Sequence, residues 1–364
     1  MKLGIQRKST RTIEATKHSS AKDNARMNGS RLLPFRLFSP ATLLGLALAC
    51  AAVAHSQTCL TADDMDQPTV AALQNAAKRY YDMAAHADAA TLKQNAIPSL
   101  AGNFSGVENA IKENQADLST SQPAPRSPFL LKVEGNAPLE KAEFLCGVFG
   151  AKGQTSTSAE FVIPNMAPGN YAVVTVDASG AKEPRTVTFV LEQQGSEWKL
   201  GGFYVRNSLI AGHDEKWFTD KARAFKEKGQ KRNAWFYYLA ARDLLVPVTF
   251  MYTQATDRLY DEMQAVKPTD LPPEAAVELT AAGKTYKLTD LFPFPEGKDF
   301  DLVARYQSAD VSNSAKTFQE NTEVMKALLA KYPEFRDGFD GMVARAVEPS
   351  GRDYGSMLAM KDIK

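Results

Sequence analysis

The stretch GSEWKLGGFYV, residues 195–205, decides how the rest of the chain is read. Apolar residues alternate with others from Trp198 to Leu200 and again from Phe203 to Val205, the period of a half-buried strand. Phe189 and Leu191 lie across a Gln-Gly-Ser turn from Trp198 and Leu200, so the stretch is the second arm of a hairpin. Gly201-Gly202 permits a bulge or a close backbone approach. Trp198, Leu200 and Tyr204 are expected on one outward face, where a helical neighbour docks; the other reading makes Trp198 and Tyr204 a pocket wall against an apolar ligand.

Working upstream, the same period of two recurs. Residues 129–133, 142–149, 159–163, 171–176 and 186–192 are runs rich in Val, Phe and Tyr, bounded by Gly, Pro, Asn or Ser, and each is expected to be a strand. Before them the spacing is helical. Val70, Leu73, Ala77, Tyr80 or Tyr81 and Ala84 follow Pro68 at helical intervals, with shorter helices near 90–94 and 107–114. The proline-rich segment 121–128 is a connector that no helix or central strand can absorb. Helices followed by antiparallel strands and a closing hairpin are α+β: a curved sheet wrapped around an N-terminal helix.

From about residue 68 to 207 the chain resembles the nuclear transport factor two-like superfamily. The residues that carry this are Ala76-Ala-Lys-Arg-Tyr-Tyr-Asp82 on the first helix and the closing stretch 195–205; the long segment from Gly150 to Pro168 departs from the compact pattern. The resemblance implies a cone-shaped α+β domain, whose pocket in enzymatic members works as a hydrolase, dehydratase or isomerase with a His-Asp pair or an Asp and a Tyr. Asp82 and His86, one helical turn apart, are then the catalytic candidates, with Tyr81 lining the pocket. Read without the resemblance, Tyr80 and Tyr81 are core or rim residues and Asp82 and His86 a solvated pair.

Downstream, Ala222, Phe225, Gly229, Ala234, Tyr238 and Ala241 have the spacing of a single tetratricopeptide-like helical pair, with Val246 in the usual proline place. No second copy lies about 34 residues away in either direction, the repeat length of that family, so the pair must lean on a neighbour to bury its apolar faces. A third helix is expected over 249–266. In the cluster Trp235-Phe236-Tyr237-Tyr238, Trp235 and Tyr238 are candidates for a partner groove, burial between modules being the plainer reading. The basic run from Lys221 to Arg232 reads as a solvated face. After Pro273, strands are expected at 277–279, 285–291, 300–306, 342–347 and 356–360, with a helix over 314–331 stopped by Pro333.

The first 56 residues read as a leader. Arg31 and Arg36 precede an apolar run from Ala41 to Ala54, and Ala54-His55-Ser56 offers a small-residue cut between Ser56 and Gln57; Met27 is the expected start of a signal of ordinary proportions. Cys50 raises a lipoprotein alternative, which Ala47 and the better cut at Ser56 outweigh. The run is too short and Ala-rich for a membrane span, so the mature chain is expected to be periplasmic or secreted, without a stable span. The leader carries nine basic and two acidic residues of totals of 43 and 42, leaving 34 and 40 and a formal net charge of −6. An exported, mildly acidic chain has no field that would gather nucleic acid. Cys59 and Cys146 are the remaining cysteines, and an oxidising compartment favours a disulfide between them.

His86 and His213 alone remain after the leader, and no metal site, phosphate loop, dinucleotide fingerprint or nucleophile elbow stands in the sequence, so neither metal nor cofactor is expected. The domain reading is a leader over 1–56, a cone-like α+β domain over 57–210, a helical segment over 214–267 and a small α+β domain over 270–364. The expected function is non-enzymatic binding or assembly in a bacterial envelope, with another envelope protein or a small apolar ligand as partner. The alternative is a polyketide-cyclase or dehydratase-like enzyme using the cone.

Overall fold

The computed structural model describes residues 57–149 and 154–364. The leader reading, with Met27, Cys50 and Ser56, lies outside them. Strand β1 (Gln57–Leu60) is followed by four helices: α1 (Gln67–Ala85), α2 (Ala89–Gln94), α3 (Pro98–Ala101) and α4 (Ser105–Thr120). Asp66 starts α1, its carboxylate accepting the Thr69 N–H at 2.8 Å while Pro68 occupies the first turn, where no N–H is needed. Leu73, Ala77, Tyr80, Tyr81 and Ala84 form its buried stripe.

Seven strands follow: β2 (Gln122–Pro125), β3 (Phe129–Val133), β4 (Leu139–Cys146), β5 (Ala159–Met166), β6 (Gly169–Ser179), β7 (Arg185–Gln194) and β8 (Glu197–Asn207). An antiparallel sheet runs β1-β3-β6-β7-β8, and β2 pairs with β6 beyond the end of β3. The proline-rich connector is thus a short strand, tolerated because it pairs on one side alone. One face of this sheet packs on α1 and α4 through Val174, Val187, Phe189, Leu191 and Leu200. The opposite face, through Leu131, Val133, Tyr171 and Val173, packs on β4 and β5. The Cys59–Cys146 disulfide, Cα atoms 5.1 Å apart, ties β1 to β4 and so joins the two sheets.

Helices α5 (Glu215–Glu227) and α6 (Lys231–Leu245) form the antiparallel pair, followed by β9 (Met251–Thr253) and α7 (Gln254–Gln264). The expected third helix therefore begins five residues later than its pattern implied. Met251, Tyr252 and Thr253 instead pair with Phe161, Glu160 and Ala159, completing a β4-β5-β9 sheet. A free edge of β5 outcompetes a helical first turn, and the Thr253 hydroxyl then caps α7.

The C-terminal part contains β10 (Val277–Ala281), β11 (Lys284–Glu296), β12 (Asp299–Gln307), α8 (Ser314–Lys331), α9 (Phe335–Gly338), β13 (Gly341–Val347) and β14 (Asp353–Ala359). Its sheet runs β10-β11-β12-β13-β14, antiparallel except for the β12–β13 pair, which the α8 crossover makes parallel. Helix α8 covers one face. The α5–α6 pair shares that core: Phe218, Phe225, Phe236, Tyr237 and Tyr238 are buried with Phe300, Leu302, Phe335 and Phe339. The architecture is α+β.

Two outcomes are expected. Cys59→Ser should lower stability by about 2–4 kcal/mol in urea unfolding, the range for losing a disulfide that closes a long loop. Phe300→Ala should cost about 3–5 kcal/mol, and amide exchange should rise in α5 and α6 together with β11–β13 while β6–β8 stay protected. Loss of protection in β6–β8 instead would show that the helical pair leans on the other sheet.

Candidate functional site

Asp82 and His86 are both exposed, on the face of α1 turned away from the sheet. With Asn75, Lys78 and Arg79 they line an open depression of about 440 Å³. Inside it the two do not form a carboxylate–imidazole pair. His86 Nδ1 lies 2.7 Å from the backbone carbonyl of Asp82, which can only accept, so Nδ1 carries the proton and the ring is held as a helix C-cap. Tyr80 and Tyr81 point the other way. The Tyr80 hydroxyl donates to the Trp198 carbonyl at 2.8 Å and the Tyr81 hydroxyl to the Leu118 carbonyl at 2.9 Å. Burial pushes both phenols above their usual range.

The opening stretch divides at its glycines. Leu191 pairs with Leu200 but Val190 pairs with Gly202, so Gly201 is the extra residue of a bulge. A bulge reverses which face the following residues occupy. Leu200, Phe203 and Val205 all face the α1 core, with Trp198 packed against it half-buried, while Tyr204 lies on the opposite side, 41 % exposed. The expected face of Trp198, Leu200 and Tyr204 is therefore not a single surface. Tyr204 meets Phe250 edge-on, ring centres 5.7 Å apart, and a Cβ on Gly202 would come within 2.9 Å of its ring. The helical pair docks on the C-terminal sheet instead, which offers it the larger aromatic surface.

Tyr238 is fully buried. Its hydroxyl donates to the Glu262 carboxylate at 2.9 Å, and the Arg223 guanidinium grips the same carboxylate with two hydrogen bonds of 2.8 and 2.7 Å. That grip holds Glu262 below the usual carboxylate range and fastens α7 to α5 and α6. Trp235 is half-buried against the same core. The basic run is partly spent in the same way: Arg232 pairs with Asp270 and Glu334. Both aromatic candidates pack into this core, Tyr238 fully and Trp235 in part.

A second concavity, about 580 Å³, sits where β12 and β13 begin and β14 ends. Asp301 is its buried member. Along β12 the even positions Phe300, Leu302, Ala304 and Tyr306 enter the core under α8, which leaves Asp301 on the other face. It nonetheless has no exposed surface, and neither carboxylate oxygen finds a hydrogen-bond partner among the described residues. The Gly341 amide favours the charged form without closing a hydrogen bond. A Cβ on Gly341 would stand 2.8 Å from the Asp301 carboxylate, so only glycine fits there. Burial, then the negative charges of Asp299, Asp340 and Glu296, push the Asp301 carboxyl up to about 6.

In the sequence, a charged residue at an odd position of that strand reads as solvated, which hides Asp301. The one available signal was the Asp299-x-Asp301 spacing, two carboxylates on the same strand face. Among the described residues no three His, Cys, Asp or Glu converge in a way that could hold a metal ion.

A carboxyl raised from about 3.9 to about 6 leaves stability unaffected below pH 4, where it is protonated folded or unfolded; the penalty grows between pH 4 and 6 and is complete above. Relative to the native chain, Asp301→Asn should therefore gain about 2–3 kcal/mol between pH 4 and pH 7.5, at about 1.36 kcal/mol per unit. Urea unfolding of both chains at the two pH values measures it; a pH-independent difference would refute the raised carboxyl. Comparison with protein-family models, with curated proteins and with solved structures finds no match to this chain.

Proposed function

We propose that the chain is an exported protein of a bacterial envelope, periplasmic or secreted, that works by binding or assembly and not by catalysis. The observation that carries the reading is the filled interior of the N-terminal module. Leu73, Tyr80, Leu92, Phe189 and Leu191 have no exposed surface between α1 and the sheet, and the two tyrosine hydroxyls are spent on backbone carbonyls. In this reading the module is a nuclear transport factor two-like cone whose pocket space is taken up by its own side chains. The enzymatic alternative needs Asp82 and His86 to act inside such a pocket, and both face solvent on the far side of α1.

Export is supported by the Cys59–Cys146 bond, which persists in oxidising compartments. It also fits the contacts of Gln57, whose side chain accepts the Glu143 N–H at 2.7 Å and which pairs with Val133, so a chain cut before it keeps both.

Expression of the full sequence in a bacterium with a periplasm tests both halves. The chain should be recovered from the periplasm with Gln57 first, and its mass should rise by about 2 Da on reduction, two hydrogens for the bond. An uncleaved, cytoplasmic chain with free thiols would sink the export reading. Asp82→Asn with His86→Ala should leave folding and any ligand affinity unchanged; a substrate whose turnover disappears in that double variant would establish the enzyme instead.

A further inference from the structure

The concavity at the end of the C-terminal sheet holds a charge that the fold does not answer. Asp301 forms its floor with both oxygens buried and unpartnered, whereas Asp299 and Asp340 stand exposed at the rim. Asp340 accepts the Phe300 N–H through one oxygen at 2.8 Å. A buried carboxylate is ordinarily met by a cation or by several hydrogen bonds. The position is not slack left by loose packing, because Gly341 is pressed beneath the carboxylate with no room for a Cβ.

The surrounding chemistry selects among ligands. A hard metal ion needs a convergent oxygen set, and the described residues offer none. An anion would meet Arg336 and Lys361, which also line the space. The Arg336 guanidinium, however, already donates to the Met360 and Ile363 carbonyls at 3.2 and 2.8 Å, and three carboxylates repel negative charge. A primary ammonium ion brings a positive charge and three N–H donors for the unused carboxylate oxygens. Phe339 and Met357 then supply apolar and π surface for the carbon chain attached to it.

We infer that this concavity binds a small primary amine as its ammonium ion, with Asp301 as charge partner and Asp299 and Asp340 at the mouth. The inference rests on the binding reading and adds to it a site and a ligand class.

Titration calorimetry on the purified full chain, with hexylamine as probe, tests it. At pH 7.5 one hexylammonium should bind per chain with millimolar or better affinity, while hexanoate and calcium chloride should give no heat. Asp301→Asn should weaken binding by about 10- to 100-fold, as for a lost charged hydrogen bond. The exposed Asp299→Asn, which leaves the core intact, should weaken it by a smaller factor. Lowering the pH to 5 should also weaken it, as Asp301 takes up a proton beside Asp299, Asp340, Glu296, Arg336 and Lys361. No hexylammonium binding to the folded chain, or affinity unchanged in both variants, overturns the site and leaves the export reading standing. Mass spectrometry of the recovered probe separates the two ideas further: a chemically altered amine keeps the site but ends the non-catalytic reading.

Discussion

Tyr237 is the joint on which the second half of the molecule depends. Its ring meets Phe225, Phe300, Phe218 and Phe339 with centres 4.9, 5.2, 5.6 and 6.4 Å away, mostly edge-on or tilted. Its hydroxyl donates to the Gly338 carbonyl at 2.8 Å, so the polar end is answered inside the core. Aromatic pairs of this kind contribute about 0.5–1.5 kcal/mol each beyond the area they bury. A lone helical pair exposes too much apolar surface to stand by itself. Here one residue of α6 gathers α5, β12 and the segment before β13 around a common point.

That segment, from Tyr332 to Gly341, is shared between two neighbours. On one side the Asn233 amide donates to the Glu334 carbonyl, and a Cβ on Gly338 would lie 2.7 Å from the Asn233 side chain. On the other side Gly341 passes under Asp301 at a similar distance. The chain is thus pressed between α6 and β12 with no spare volume at either glycine. Close-packed interiors of this kind deform little, which keeps Asp301 where no side chain among the described residues pairs with it.

The N-terminal half is held by contacts of long sequence range. Its smaller sheet takes β4 and β5 from one hairpin and β9 from beyond the helical pair, some 90 residues later, and the disulfide spans 87 residues to reach β1. Tyr204 against Phe250 and Arg206 with Asp243 at 3.3 Å add further ties between β8 and the region after it. These contacts make the helical segment a bridge, bound to the C-terminal sheet by its aromatic core and to the N-terminal sheet by its last residues.

Local periodicity determined much of this. The period of two marked β3 and β12, the 3.6 period marked α1 and α8, and Pro68 and Pro333 set their ends, because backbone sterics and burial act within a few residues of each other. The cysteine pair was legible because oxidised chains seldom leave two thiols unpaired. Tertiary structure alone decided the rest. Whether Gly201 bulges, and so whether Tyr204 shares a face with Trp198, depended on pairing with β7 and on the Leu200 backbone meeting Asn95 and Ile97. Residues 251–253 became strand because β5 had a free edge. Asp301 became a buried, unanswered charge because Gly341, forty residues away, closed over it. For residues 251–253 and for Asp301 the deciding partner lies far along the chain, and no pattern of neighbours in sequence records it.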